Sequence, residues 1–190
     1  MVKLNKIYTR TGDAGDTGLG TGERRPKFDI RVASYGTVDE LNAIVGIVRL
    51  HADEALDAML ARIQNELFDL GADLATPETG EPLPYERLAI VPSQVERLER
   101  EIDAMNARLE PLKSFVLPAG SPAATHLHHA RTVARRAERL MVELARKEGE
   151  IVSAAALQYI NRLSDHLFVA ARIANDDGKG DVLWVPGQSR

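Results

Sequence analysis

The sequence predicts an all-α fold: a five-helix bundle with an irregular Gly/Thr-rich segment at its N-terminus. Three observations point there. From residue 37 onward, apolar residues recur at i, i+3, i+4 and i+7. Pro- and Gly-containing stretches at 76–92 and 111–122 and Gly149 interrupt that pattern, which reads as five helices. Strand signals are too few for a sheet. At 190 residues, with 44% hydrophobic and 27% charged residues, the chain suits a single domain over residues 1–190 with a sizeable core.

Residues 1–36 are rich in Gly, Thr and charge and lack a helical period. Thr37-Val38-Asp39-Glu40 has the form of a capping box, with Thr37 as N-cap and Glu40 at N3. Leu41, Ile44, Val45 and Val48 follow at helical spacing. The stripe Leu56, Met59, Leu60, Ile63, Leu67, Leu70 and Leu74 predicts a second helix over about 54–75. Pro77, Pro82, Pro84, Pro92 and Gly80 make 76–92 a loop. Ser93-Gln94-Val95-Glu96 reads as a second capping box, opening a charged helix to about Leu109. Pro111 and the segment Phe115-Val116-Leu117-Pro118-Ala119-Gly120 interrupt. Ser121 as cap and Pro122 in the first turn start a fourth helix, with the seam Leu127, Ala130, Ala134, Ala137, Met141 and Leu144; Gly149 is expected to end it. The fifth helix is predicted from about Ser153 to Ala174, before Asn175-Asp176-Asp177-Gly178. Val182-Leu183-Trp184-Val185-Pro186 is a candidate extended piece.

There is no cysteine, which removes disulfides, thiolate metal sites and cysteine nucleophiles. The net charge of -4 gives no electrostatic reason to expect nucleic acid or an anionic membrane as partner. No apolar run approaches the roughly 18 residues of a membrane span. Met1-Val2-Lys3-Leu4-Asn5-Lys6 has no apolar signal region, so a cytoplasmic location is expected. Charge is nonetheless uneven: residues 1–36 carry a net +3 and residues 126–147 a net +4. Two solvated basic faces and a local anionic ligand both account for this.

Chemistry is concentrated in two stretches. In Thr9-Arg10-Thr11-Gly12-Asp13-Ala14-Gly15-Asp16-Thr17-Gly18-Leu19-Gly20, glycines allow backbone N–H groups to converge on phosphate oxygens, and Thr hydroxyls add donors. Arg10 and Lys27 can neutralise charge. No Gly-Lys-Ser/Thr follows, so this is not a Walker A loop, and an ordinary Gly-rich loop has the same composition. On the fourth helix Arg131, Arg135 and Glu138 lie at i, i+4 and i+7 on one face, and Arg136 and Arg139 extend it sideways. Guanidinium groups so placed can clamp a polyphosphate; solvated Arg–Glu pairs give the same spacing. Asn161 and Asp165 on the fifth helix are again i, i+4. No Glu has a His three residues on, which argues against a di-iron bundle. His126, His128 and His129 cluster, but adjacent helical residues point different ways, and no protein-held metal is expected. No serine nucleophile with a partnered histidine is evident.

Together these pieces resemble one family, the PduO-type ATP:cob(I)alamin adenosyltransferases. The resemblance rests on Tyr8-Thr9-Arg10-Thr11-Gly12-Asp13, Gly22-Glu23-Arg24-Arg25-Pro26-Lys27 and Tyr35-Gly36-Thr37-Val38-Asp39-Glu40-Leu41-Asn42. It continues in Phe115-Val116-Leu117-Pro118, Arg131-Thr132-Val133-Ala134-Arg135-Arg136-Ala137-Glu138-Arg139 and Tyr159-Ile160-Asn161-Arg162-Leu163-Ser164-Asp165. Ala119 stands where the family often has glycine. The resemblance implies a homotrimer of five-helix bundles with ATP between subunits. Thr9, Arg10, Thr11, Gly12, Thr17, Gly18 and Lys27 would hold ATP from one subunit; Arg135, Arg136, Glu138, Arg139 and Asn161 would complete the site from its neighbour. Arg131 would pair with Asp39 across the interface, and Phe115 would line the corrinoid pocket. Arg135 and Phe115 would carry the catalytic work, with Mg²⁺ arriving on the ATP phosphates. The implied reaction is attack of Co(I) on the ribose C5′ carbon with loss of triphosphate, which needs no general base. A reductase or a cobalamin-dependent enzyme would be a hand-off partner. A corrinoid carrier that makes nothing, and a plain helical interaction protein, are the other classes the residues allow.

Overall fold

The computed structural model describes residues 7–78, 87–188 and 190. Two short strands, β1 (Asp16–Gly18) and β2 (Arg24–Pro26), precede five helices: α1 (Ile30–Arg49), α2 (Glu54–Ala75), α3 (Pro92–Asn106), α4 (Pro122–Arg146) and α5 (Ala154–Ala174). Helix α4 packs against both α1 and α5, α1 also against α2, and α3 against α5. The fourth-helix seam accounts for that central place. Ala130, Ala134 and Ala137 are fully buried, as are Ala170 and Ala171 of α5, and small side chains let helix axes approach closely. Leu41, Val45, Leu60, Ile63, Leu70, Leu127, Met141 and Leu163 complete one continuous core.

Three helix starts follow the sequence closely. The Asp53, Ser121 and Ser153 side chains accept from Leu56, Ala124 and Ala156 N–H, capping α2, α4 and α5. The other two starts correct the sequence reading. Helix α1 begins at Ile30, capped by Asp29, whose carboxylate accepts from Arg31 N–H at 2.8 Å. Thr37 is therefore mid-helix and buried, and its hydroxyl donates to Ala33 O at 2.8 Å, the i−4 bond that competes with capping. Helix α3 starts at Pro92 rather than after Ser93. Gln94 Oε1 accepts from Val91 N–H at 2.9 Å, so the N-cap lies two residues earlier, at Val91, whose side chain has no oxygen to complete a box. Helix α4 ends at Arg146, and Gly149, with φ 79°, sits in the turn beyond it.

The N-terminal segment is not wholly irregular. β1 and β2 form an antiparallel hairpin with Thr17 opposite Arg25, turning through Gly22 at φ 87°. Three-residue strands do not stand alone in water. The hairpin leans on the bundle through Gly20 N–H, which donates to Ala75 O at the end of α2 at 2.7 Å. A buried polar cluster docks α3: Tyr159 Oη donates to Glu66 Oε2 at 2.8 Å, Arg97 also pairs with Glu66, and His166 Nε2 meets Glu101 Oε2 at 2.9 Å. Burial pushes the Tyr159 hydroxyl well above its usual pKa, so it stays a donor.

Candidate functional site

The loop before β1 doubles back through Arg10 at φ 61° and Gly15 at φ 95°. Gly15 N–H donates to Gly12 O at 3.2 Å and Lys27 N–H to Gly15 O at 2.8 Å. Arg24 Nη2 closes the loop from the far strand, donating to Thr11 O at 2.7 Å and Asp16 O at 3.2 Å. Lys27 lies across Gly12: a Cβ there would stand 3.3 Å from Lys27 Nζ and 3.3 Å from Asp16 O. The Thr9 and Thr11 hydroxyls are 2.9 Å apart, and the Arg10 guanidinium is 5.6 Å from the Tyr8 ring centroid. Thr9, Arg10, Thr11, Gly12 and Lys27 thus share one surface patch, and Thr17 and Gly18 follow on β1. Neither Arg10 nor Lys27 enters an ion pair among the described residues, so both charges are available to an anion.

A second cationic surface lies on α4. Burial of the alanine seam turns Arg135, Arg136 and Arg139 outward. Arg136 pairs with Glu40 of α1. Glu138 Oε1 accepts from Asn161 Nδ2 at 2.8 Å, joining α4 to α5. Arg139 Nη1 donates to Arg135 O at 3.1 Å. The Arg135 side chain is exposed and has no carboxylate partner among the described residues. Its fork is free for bidentate contact with phosphate. Within one chain, no described hydrogen bond or ion pair joins this face to the Thr9–Lys27 loop.

Phe115 marks a third feature. It sits on the α3–α4 connection with 77% of its surface exposed, so it is not core in the single chain. Its ring centroid is 6.0 Å from that of Trp184, tilted by 56°. The extended tail holds this loop: Trp184 N–H donates to Phe115 O at 2.8 Å, Leu117 N–H to Val182 O at 2.8 Å, and Ser114 Oγ to Trp184 O at 2.6 Å. Phe115 opens onto a groove of about 550 Å³ lined by Leu112, Ser114, Val116, Arg131 and Phe168. Exposed aromatic and aliphatic side chains over a groove of that size suit a large, flat, mostly apolar ligand.

Residues 7–174 match the family model for cobalamin adenosyltransferase. The chain belongs to that family. A corrinoid adenosyltransferase of Mycobacterium tuberculosis is 49% identical over the whole of this chain and 97% of its own length. That of Bacillus subtilis is 46% identical over 94% of this chain and 92% of its own. The Salmonella typhimurium corrinoid adenosyltransferase PduO is 48% identical over 90% of this chain but only 50% of its own length. A variant PduO-type ATP:corrinoid adenosyltransferase from Lactobacillus reuteri, complexed with cobalamin and ATP, superposes with a TM-score of 0.87 at 39% identity, covering 95% of this chain and 97% of that one.

Against this family background, several residues do more than their sequence context indicates. Trp184 packs beside Phe115, Phe168 lines the groove, and Arg24 shapes the loop from across the hairpin. Each contact spans many residues, and no local pattern announces it. Arg131 lines the groove with its guanidinium 6.0 Å from the Phe168 centroid and makes no ion pair with Asp39 within the chain. Burial, and then the neighbouring charge of Arg135, lowers its pKa. Asp39 is exposed on α1, in a separate groove of about 380 Å³ with Tyr35, Gly36, Asn42 and Phe68. Among the described residues, no group of three His, Cys, Asp or Glu is placed to hold a metal.

Proposed function

We propose that this protein transfers the 5′-deoxyadenosyl group of ATP to cob(I)alamin, forming adenosylcobalamin and triphosphate. One observation carries the reading. Among the described residues, a loop with two cations outside any ion pair and an arginine face with a fork outside any ion pair occur on the same chain as an exposed aromatic groove. Polyphosphate and a large apolar ring system are the two ligands such surfaces serve. The corrinoid adenosyltransferase relatives support it.

In the proposed reaction the Co(I) of the corrinoid substrate supplies an electron pair to C5′. The cobalt–carbon bond forms as the C5′–oxygen bond breaks, and the electron pair leaves on triphosphate. No proton moves in that step, so a general base is not required. The protein must hold C5′ in line and stabilise a highly anionic leaving group. Thr9, Thr11 and Thr17 supply hydroxyls, Gly12 and Gly18 allow close backbone approach, and Arg10 and Lys27 supply charge. Arg135, Arg136, Arg139 and the Glu138–Asn161 pair complete the nucleotide contacts from a neighbouring subunit of a homotrimer. Separation of the two cationic surfaces within one chain supports that division. Mg²⁺ carried on the ATP phosphates would offset part of their charge, with Arg10, Lys27 and Arg135 supplying the protein's share. Phe115 sits under the corrin and keeps the lower ligand and water from cobalt, which eases reduction of Co(II). Arg131 pairs with the neighbour's copy of Asp39 beside that groove. The enzyme works in the cytoplasm, receiving reduced corrinoid from a reductase and passing product to a cobalamin-dependent enzyme.

The test is an absorbance scan of the protein with Mg-ATP and chemically reduced cobalamin under anaerobic conditions. Conversion to the adenosylcobalamin spectrum, dependent on both ATP and protein, is expected. Corrinoid binding without conversion would reduce the protein to a carrier.

A further inference from the structure

Charged residues outside the proposed contacts converge on Glu150, in the turn between α4 and α5. Its side chain is 6% exposed and accepts from two guanidinium groups. Arg31 approaches Oε2 through Nε at 3.1 Å and Nη2 at 2.5 Å, and Arg25 Nη1 bonds Oε1. The two arginines differ in what they tie down. Arg31 is 1% exposed, belongs to α1, and also donates from Nη1 to Leu74 O of α2 at 2.7 Å. The Arg31–Glu150 pair therefore joins parts of the bundle to one another. Arg25 belongs to β2 and reaches out of the hairpin. Besides Glu150, it donates from Nε to Glu23 Oε1 at 2.7 Å and lies 3.6 Å from Asp29 Oδ1.

Arg25 is also the cross-strand partner of Thr17, and Lys27 follows two residues later. At the other end of the hairpin, Gly20 N–H holds Ala75 O, so closely that a Cβ at Gly20 would meet Thr76 Oγ1 at 2.5 Å. A hairpin of three-residue strands takes its orientation from such ties. The Gly20 bond and buried Leu19 hold the turn end, and Pro26 O, accepting from Asp29 N–H at 2.9 Å, holds the end that enters α1; Arg25 adds the side-chain tie in the middle of β2.

We infer that Arg25, acting through Glu150, is a positioning residue that sets the nucleotide-binding hairpin against the bundle and thereby sets the affinity for ATP. This rests on the reading of residues 9–27 as the ATP loop. Arg25 does not touch the nucleotide in this account. It holds Thr17 and Lys27 where the phosphates need them, and small displacements of positioned groups are expensive in binding and catalysis.

The experiment uses the full chain and compares Arg25→Met, Arg25→Lys and Lys27→Ala with the parent. KM for ATP, KM for cobalamin and the melting temperature are measured for each. Arg25→Met should raise KM for ATP about tenfold or more. KM for cobalamin should not move, because the Phe115 groove is held by residues 182–184. The melting temperature should fall only modestly, because Arg31 still holds Glu150 Oε2 while Oε1 loses its Arg25 partner. Arg25→Lys, which keeps one charged contact but loses the fork, should fall between. It also supplies the measurement if the methionine variant does not fold. A raised KM for ATP in Lys27→Ala with a parental value in Arg25→Met, or in Arg25→Lys if only that variant folds, would overturn the clamp and leave the loop reading intact. Parental KM for ATP in all variants would overturn the loop reading and the clamp with it. A lower melting temperature with equal effects on both substrates would reduce Arg25 to a stabilising residue.

Discussion

Replacing Phe115 by alanine separates a corrinoid contact from ordinary packing. Truncating a fully buried phenylalanine costs about 3–5 kcal/mol. Phe115 is 77% exposed, so less than a quarter of its surface is at stake and the loss should be about 1 kcal/mol. In a chain of this length that corresponds to a melting point lower by about 2–4 °C. The loop should keep its path, because the bonds from Trp184, Leu117 and Ser114 involve no Phe115 side-chain atom. ATP binding should be preserved, since the cationic loop and Arg135 lie on other elements. Cobalt chemistry should change sharply. With nothing apolar to displace the lower ligand, the five-coordinate Co(II) form should dominate. Turnover from Co(II) should then fall far more than turnover from pre-reduced Co(I). The assay is a Co(II) spectrum of the ATP-bound variant beside a thermal melt. A melting point lowered by about 10 °C, the scale of a full core truncation, with an unchanged four-coordinate signal would refute the corrinoid role.

Arg135→Lys should lower kcat/KM by about 2–4 kcal/mol of transition-state stabilisation, since a point charge cannot reproduce the guanidinium fork; unchanged steady-state kinetics would remove Arg135 from the site. Sedimentation should give three copies of the 20.8 kDa chain, and a fully active monomer would contradict a shared nucleotide site. Burial acts to raise the Glu150 pKa, but hydrogen bonds and charge from Arg25 and Arg31 hold it below its ordinary 4.5. A carboxyl depressed in the folded state stabilises the fold above its unfolded pKa and loses that contribution as pH falls through the folded value. Melting temperatures should therefore drop below about pH 4.5, and Glu150→Gln should flatten that acid limb while lowering stability at neutral pH; a parental acid limb in the variant would show that Glu150 is not the linked group.

Helical periodicity carried most of the architecture. The apolar stripe from Leu56 to Leu74 sets the extent of α2, because that signal is local. Ser121-Pro122 and Ser153 are equally local. The α1 start was obscured because Thr37 and Glu40 have the spacing of a capping box while Thr37 spends its hydroxyl on Ala33 O. Asp29, which does cap, is followed by Ile30, Arg31 and Val32, a pattern that a strand would also show. The hairpin is not legible in the sequence because strands such as Arg24–Pro26 carry no alternation and depend on Gly22 and Arg24 for closure. Site residues were legible as motifs, but their relations were not. The Phe115–Trp184 contact and the Arg25–Glu150 pair cross long stretches of chain, and only the packed bundle brings them together.

The most direct test follows the carbon and the phosphates together. The protein would be incubated anaerobically with cob(I)alamin and Mg-ATP labelled with ¹³C at the ribose 5′ position, and carbon and phosphorus NMR spectra recorded on the products. The 5′ carbon should appear bonded to cobalt, with an equivalent amount of intact triphosphate released. ADP and inorganic phosphate, with the label still on a free nucleotide and no cobalt–carbon bond, would contradict adenosyl transfer as the activity of this protein.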